Sequence, residues 1–204
     1  MPAPAEPSRR GLTRRHLLLA AIAPALPPPV LAQTTAGIPE EVRAEIAGAR
    51  FSGSGEFRYF GFLVYRATLW VGPQGLGAQL GDAPFALQLR YARSLKGSDI
   101  AARSEEEMRK LGEGSPQQRG LWLRAMQRLF PDVADGDTLT GVFIPAGAAP
   151  AQSRFYFNGA LRGAEDGMAF ARAFFAIWLS PQTPAPDLRK ALLARASADA
   201  PASQ

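Results

Sequence analysis

The chain has 204 residues, 47% hydrophobic and 20% charged, with no cysteine and a single histidine, His16, a composition that fits a globular protein and not a disordered, collagenous or disulfide-rich one. Its 23 basic and 18 acidic groups give +5 at neutral pH, but Arg9, Arg10, Arg14, Arg15 and Glu6 lie in an N-terminal segment read below as removable, which leaves 19 against 17. The remaining 172 residues then have neither Cys nor His, which excludes thiol nucleophiles, disulfides, zinc fingers, His-ligated metals, haem and hydrolases that need an imidazole base.

Residues 1–32 run from a basic, Pro-rich stretch through ten apolar residues, Leu17 to Leu26, interrupted by Pro24, to Val30-Leu31-Ala32. This is the pattern of a signal peptide cleaved after about Ala32, and Thr13-Arg14-Arg15-His16-Leu17-Leu18 fits the twin-arginine export motif. The expected location is the periplasm. Ten apolar residues cannot span a hydrocarbon core that needs about 20, and no other segment predicts a membrane span. Arginine outnumbers lysine 20 to 3 without forming a run of like charge, so no nucleic-acid partner is expected.

Residues 33–37 read as a linker, 38–195 as one domain and 196–204 as a disordered tail. Pro39-Glu40-Glu41 opens a short helix to about Ala47, with proline at its start and acids in its first turn. Two strands follow, Phe51 to Tyr59, loosened by Gly53 and Gly55, and Phe62 to Val71, with Gly61 as the joint. The glycines of Gly72 to Gly81 precede no GK[ST] and no helix, so that stretch is a surface loop and not a phosphate loop. Phe85 to Ala92 alternates as a third strand. Ser98-Asp99 caps a helix to about Leu111 with Ile100, Ser104, Met108 and Leu111 on one face. Ser115-Pro116 starts another, ended at Phe130-Pro131.

Asp135-Gly136-Asp137 turns into the strand Thr138 to Ile144, and Arg154 to Phe157 returns beside it before a turn at Asn158-Gly159. Asp166-Gly167 opens an apolar helix, Met168 to Leu179, and Asp187 to Arg195 forms the last. Strands first, two inserted helices, a hairpin and then helices predict an α+β fold whose largely antiparallel sheet is covered by helices on one face.

Several strings stand in a familiar order: Phe60-Gly61-Phe62-Leu63-Val64-Tyr65-Arg66-Ala67-Thr68-Leu69-Trp70, Leu87-Gln88-Leu89-Arg90-Tyr91-Ala92-Arg93, Leu95-Lys96-Gly97, Arg103-Ser104-Glu105-Glu106-Glu107-Met108, Leu129-Phe130-Pro131-Asp132-Val133, Phe155-Tyr156-Phe157-Asn158-Gly159 and Phe170 to Pro181. Together they resemble the bacterial chalcone isomerase-like family over about residues 38–193. The resemblance implies an open-faced β-sandwich, a large antiparallel sheet under a layer of helices with a ligand cleft between them.

In plant enzymes of that fold a phenolate adds to an enone within one molecule, which needs orientation and hydrogen bonds to the developing enolate but no cofactor. The side chains the resemblance makes important are an Arg, a Thr, a Tyr and an Asn. Carried over, the Tyr position falls at Ile100, which cannot donate a hydrogen bond, and the Asn position at Glu107, whose charge has the wrong sign beside an enolate. The Arg position falls near Gly55 and the Thr position within Arg66 to Thr68. Chalcone isomerisation is therefore not expected, and no catalytic residue, metal or cofactor is assigned.

A cleft that has lost such groups but kept aromatic walls suits a small apolar or amphipathic molecule, and the resemblance extends to relatives that hold fatty acids. The cleft candidates are Arg58, Tyr65, Arg66 and Thr68 at a polar end, with Ile100, Glu107 and Trp178. Arg58 and Arg66 share a strand parity, so both facing solvent stays open. Glu107 reads either as part of a solvated helical face or as a buried base for a cofactor-independent isomerase of unknown substrate. A third reading is a partner-binding protein with a filled interior; no protein partner is named.

Overall fold

The computed structural model describes residues 37–197. Six antiparallel strands lie in sequence order, β1 (Arg50–Tyr59), β2 (Phe62–Val71), β3 (Phe85–Tyr91), β4 (Thr138–Ile144), β5 (Gln152–Phe157) and β6 (Ala160–Asp166). Helix α1 (Glu40–Glu45) precedes the sheet, α2 (Gly97–Lys110) and α3 (Pro116–Leu129) stand between β3 and β4, and α4 (Met168–Leu179) and α5 (Pro186–Leu192) follow β6. The fold is α+β, as expected. Strand β6 was not legible as a strand: it has no aromatic or β-branched residue to mark it, and it is a largely exposed edge.

The period-two pattern sorts the side chains between two faces. On one face Ala67, Leu69, Val71, Phe85, Leu87, Leu89, Tyr91, Leu139, Phe143 and Phe155 are buried under α2, α3, α4 and α5. On the other, Trp70, Ala86, Val142 and Tyr156 pack against Val42 and Ile46 at α1. The expectation of helices on one face is corrected at this point, because α1 covers part of the opposite side. It is fastened there by polar groups: a Glu41 carboxylate oxygen accepts from Thr140 Oγ1 at 3.0 Å, Glu45 pairs with Arg154 at 2.7 Å, and Tyr156 donates its hydroxyl to Glu45.

Two backbone approaches position the cleft. A Cβ on Gly53 would stand 1.9 Å from the carbonyl oxygen of Ala191, so the missing side chain lets α5 lie on β1, where Ser52 Oγ donates to the Leu192 carbonyl at 2.8 Å. A Cβ on Gly97 would stand 2.1 Å from the Phe130 carbonyl oxygen. There the start of α2 is clamped to the end of α3, with Asp132 accepting from the Gly97 amide at 3.0 Å and pairing with Lys96 at 2.7 Å. Residues 196 and 197, expected in the tail, are bound: Leu76 donates to the Ala196 carbonyl at 3.1 Å and Ser197 bridges to Gly75. The proposed signal segment lies outside the described residues.

Two outcomes test this packing. Gly53→Ala should cost about 2 to 3 kcal/mol, the scale of overpacking a tight contact, read by denaturant unfolding. Burial raises the Glu45 carboxyl, but hydrogen bonds from Arg154 and Tyr156 and the Arg154 charge overcome it, and its pKa sits below the ordinary 4.5. A depressed carboxylate stabilises the fold above that ordinary value and loses its contribution as the pH falls through the native one. The thermal midpoints of wild type and Glu45→Gln should therefore differ near neutrality and converge below pH 4.5.

Candidate functional site

A cleft of about 590 Å³ opens between β1–β4 and the helices α2 and α4. Its sheet wall is a row of aromatics fixed by register, since Phe57 pairs with Tyr65 and Tyr65 with Tyr91 across neighbouring strands. Phe57 stacks on Tyr65 with ring centroids 5.1 Å apart, and Tyr65 meets Tyr91 edge-on at 6.0 Å. Leu89 and Leu139 extend this wall, while Ile100, Arg103, Ser104 and Glu107 line it from α2, and Phe174, Ile177 and Trp178 from α4. The helical contributors recur at three- and four-residue spacing, which puts them on one face of each helix. Arg58, Tyr59, Arg93 and Asp99 also line it, and all four are exposed, so the cleft reaches solvent there.

The polar groups inside are few. Trp178 Nε1 donates to the Tyr65 hydroxyl oxygen at 3.0 Å, which leaves that hydroxyl's own proton free to donate. The Tyr91 hydroxyl makes no hydrogen bond among the described residues. Burial pushes both phenols well above their ordinary pKa; for Tyr65 the Trp178 hydrogen bond opposes this and the Glu107 charge adds to it. Both are neutral donors at physiological pH. Ser104 is occupied, donating to the Ile100 carbonyl at 2.9 Å.

Three guanidiniums line the cleft with different freedom. Arg103 pairs with Glu107 at 2.7 Å and with Glu106 at 3.1 Å, and Arg58 pairs with Glu56 at 2.9 Å and donates to the Gly61 carbonyl at 3.1 Å. Arg93 has no ion pair or hydrogen bond among the described residues. Glu107 is buried at 5% exposure, held by Arg103 and by Lys110 at 3.1 Å. The view of Glu105-Glu106-Glu107 as one solvated face fails for Glu107, although Glu106 does pair with Lys110 at 2.9 Å.

Of the residues singled out from sequence, the cleft brings together Arg58, Tyr65, Ile100, Glu107 and Trp178. Arg66 and Thr68 do not line it. They fall on the opposite strand parity from Tyr65, Ala67 and Leu69, and the Arg66 guanidinium lies on Glu56 at 2.6 Å. Arg58 and Arg66 do share a face: the irregularity between Phe57 and Arg58 leaves Val64 of β2 out of the pairing, and both guanidiniums meet Glu56, Arg58 also lining the cleft at its exposed end. Sequence reasoning missed Phe57, Tyr91, Arg93 and Arg103. Cross-strand register from Tyr65 would have found the first two, and the α2 spacing from Ile100 the last. Gly55, where the resemblance puts the catalytic Arg, is covered by α5: a Cβ there would stand 2.8 Å from the Leu188 side chain. Among the described residues no cluster of three or more His, Cys, Asp or Glu fits a metal, and no helix is long and apolar enough to cross a membrane.

A fatty-acid binding protein of Arabidopsis thaliana superposes with a TM-score of 0.59 at 14% identity, covering 74% of this chain and 89% of that one. This similarity is one of fold. An uncharacterized protein of Haemophilus influenzae is 27% identical over 154 residues, 74% of this chain and 71% of that protein. The family model described as chalcone isomerase-like matches residues 32–194. With a six-stranded antiparallel sheet beneath a helical layer and a cleft between the two, the chain belongs to the chalcone isomerase-like family.

Proposed function

We propose that this protein binds an amphipathic carboxylate of the fatty-acid class in the cleft and has no chalcone isomerase activity. The observation that carries the reading is an apolar, aromatic-walled cleft of about 590 Å³, within the roughly 300–1,000 Å³ of small-molecule sites, whose exposed end holds the guanidinium of Arg93, without an ion pair among the described residues. An apolar tail gains by leaving water against Phe57, Phe174 and Trp178. A carboxylate gains charge-assisted hydrogen bonds from Arg93, while the phenols of Tyr65 and Tyr91 offer neutral donors deeper in. The similarity to a fatty-acid binding protein supports the same class of ligand. An open cleft lined by Tyr65, Ile100 and Trp178 speaks against a partner-binding protein with a filled interior.

Three positions weigh against the isomerase. Ile100 lines the cleft and brings no donor; Glu107 brings a carboxylate engaged by two cations; Gly55 is roofed by α5. Export to the periplasm belongs to the same proposal and rests on the sequence pattern of residues 1–32. Changing Arg14 and Arg15 together to lysine should leave the protein uncleaved in the cytoplasm of its host, as read by fractionation and blotting; normal processing would remove the twin-arginine route.

Displacement of a fluorescent fatty acid tests the binding reading. The wild type should bind. Ile100→Trp should fill the cleft and abolish binding while circular dichroism stays native. Arg93→Gln should weaken a long-chain fatty acid about tenfold, the scale of one charge-assisted hydrogen bond, and leave the matching fatty alcohol unchanged. A wild type that binds neither overturns the reading, and turnover of naringenin chalcone above the spontaneous rate overturns its non-catalytic part.

A further inference from the structure

Two hairpins in this sheet close with the same backbone geometry and different residues. Between β5 and β6 the turn residues are Asn158 and Gly159, at φ 48° and 81°. Between β1 and β2 they are Phe60 and Gly61, at φ 47° and 82°. Positive φ at both positions is the type I′ turn, for which Asn-Gly is the favoured pair. Phenylalanine is strained in that conformation. Phe60 gains no burial in exchange: it is 85% exposed and meets Tyr59 edge-on at 4.5 Å, with Tyr59 51% and Phe62 69% exposed on either side. One hairpin tip thus holds three exposed aromatics, one of them in a strained backbone, and the fold gains nothing from either.

The surroundings indicate what gains instead. Arg58 and Arg66 flank the single acid Glu56, Arg90 stands opposite Arg66 in the next strand and is exposed, and Arg93 has no ion pair among the described residues. This corner of β1–β3 therefore carries four guanidiniums to one carboxylate, with Asp99 across the cleft on α2. Tyr59 and Arg58 also line the cleft, so the tip adjoins its opening. A two-residue turn is convex and small, whereas a stable protein interface buries about 800 Å² on each side. A bilayer interface needs no matching surface. It takes aromatic rings a few ångströms deep, and the arginines behind them remain among anionic headgroups.

We propose that the Tyr59–Phe62 tip docks this protein onto an anionic lipid bilayer, with Phe60 and Phe62 entering the interface, the arginines on the headgroups and the cleft opening beside the membrane. The docking does not depend on what the cleft binds.

Sedimentation of the purified protein with vesicles of phosphatidylglycerol and phosphatidylethanolamine tests it. The wild type should pellet with these and much less with phosphatidylcholine alone. Phe60→Asn restores the favoured turn pair, so its thermal midpoint should rise while its vesicle partition falls about tenfold, the scale of one buried ring. Because the variant is the more stable protein, misfolding cannot explain the loss. Phe60→Asn should still bind fatty acid in solution, and Ile100→Trp should still pellet, so failure of docking and failure of the cleft reading are separately visible. The proposal is overturned if the wild type stays in the supernatant, if Phe60→Asn pellets as the wild type does, or if the tip instead forms a dimer that Phe60→Asn dissolves.

Discussion

The packing of α4 between the sheet and the other helices is the constraint on which the rest depends. Phe170, Phe174 and Phe175 meet Phe85, Phe130, Phe143 and Phe155 at ring-centroid separations of 4.7 to 6.5 Å, mostly edge-on, the arrangement aromatic quadrupoles favour. Phe175 sits over Gly141, where a Cβ would come within 3.2 Å of its ring. This interlock sets the height of the helical layer above β4 and β5. Toward β1–β3 the helix offers Phe174, Ile177 and Trp178 to the cleft, and the strands answer with flat rings, Phe57, Tyr65 and Tyr91. The height set at one end is left unfilled at the other, and that difference is the cleft.

The cleft keeps its shape because its edges are tied by backbone. Gly97 and Asp132 hold the start of α2 against the end of α3, and Gly53 lets α5 seat on β1. The groups of the Gly53 tie lie outside the cleft lining, and the Gly97 tie touches it at Phe130 through that residue's backbone. The cleft's polar content is arranged differently. Glu107 and Arg103 satisfy one another one helical turn apart, which spares the buried carboxylate an unpaired charge.

Much of this was legible in the sequence for a simple reason. Strand alternation and helical spacing are local, and in Phe62–Val71, Phe85–Tyr91 and the α4 segment they are strong. The inserted helices and the family pattern followed from the same local signals. Strand β6 escaped because an exposed edge needs no apolar alternation, and the side of the sheet that α1 covers was not legible because nothing in six residues states it. The site was legible where one anchor sufficed, as for Tyr65, Ile100 and Trp178. It failed at Arg66 and Thr68 because strand parity is absolute: once Tyr65 faces the helices, residues one and three positions on face away. Arg58 keeps the face of Glu56 and Arg66 and lines the cleft at its exposed end, beside an irregularity at Val64 that an apolar strand sequence does not announce.

These features bear together on the direction in which a ligand would lie. Inside the cleft the charges of Arg103 and Glu107 cancel within one pair, and the phenols are neutral. Among the described residues the lining guanidinium without an ion pair is Arg93, at the exposed end, where Asp99 also lines the cleft. An anionic headgroup placed deep in the cleft would lose its hydration and meet no net positive charge; placed at Arg93 it keeps water and gains a guanidinium, while its tail runs inward along Tyr65 toward Phe174. On the proposed reading the ligand therefore lies head outward. A molecule leaving a bilayer tail first would have to turn over to adopt that pose, whereas one whose headgroup stays at the membrane surface would not. The aromatic tip, standing beside the same exposed end, suits the second path: docked as proposed, it would hold the opening at headgroup level, where such a carboxylate would already be.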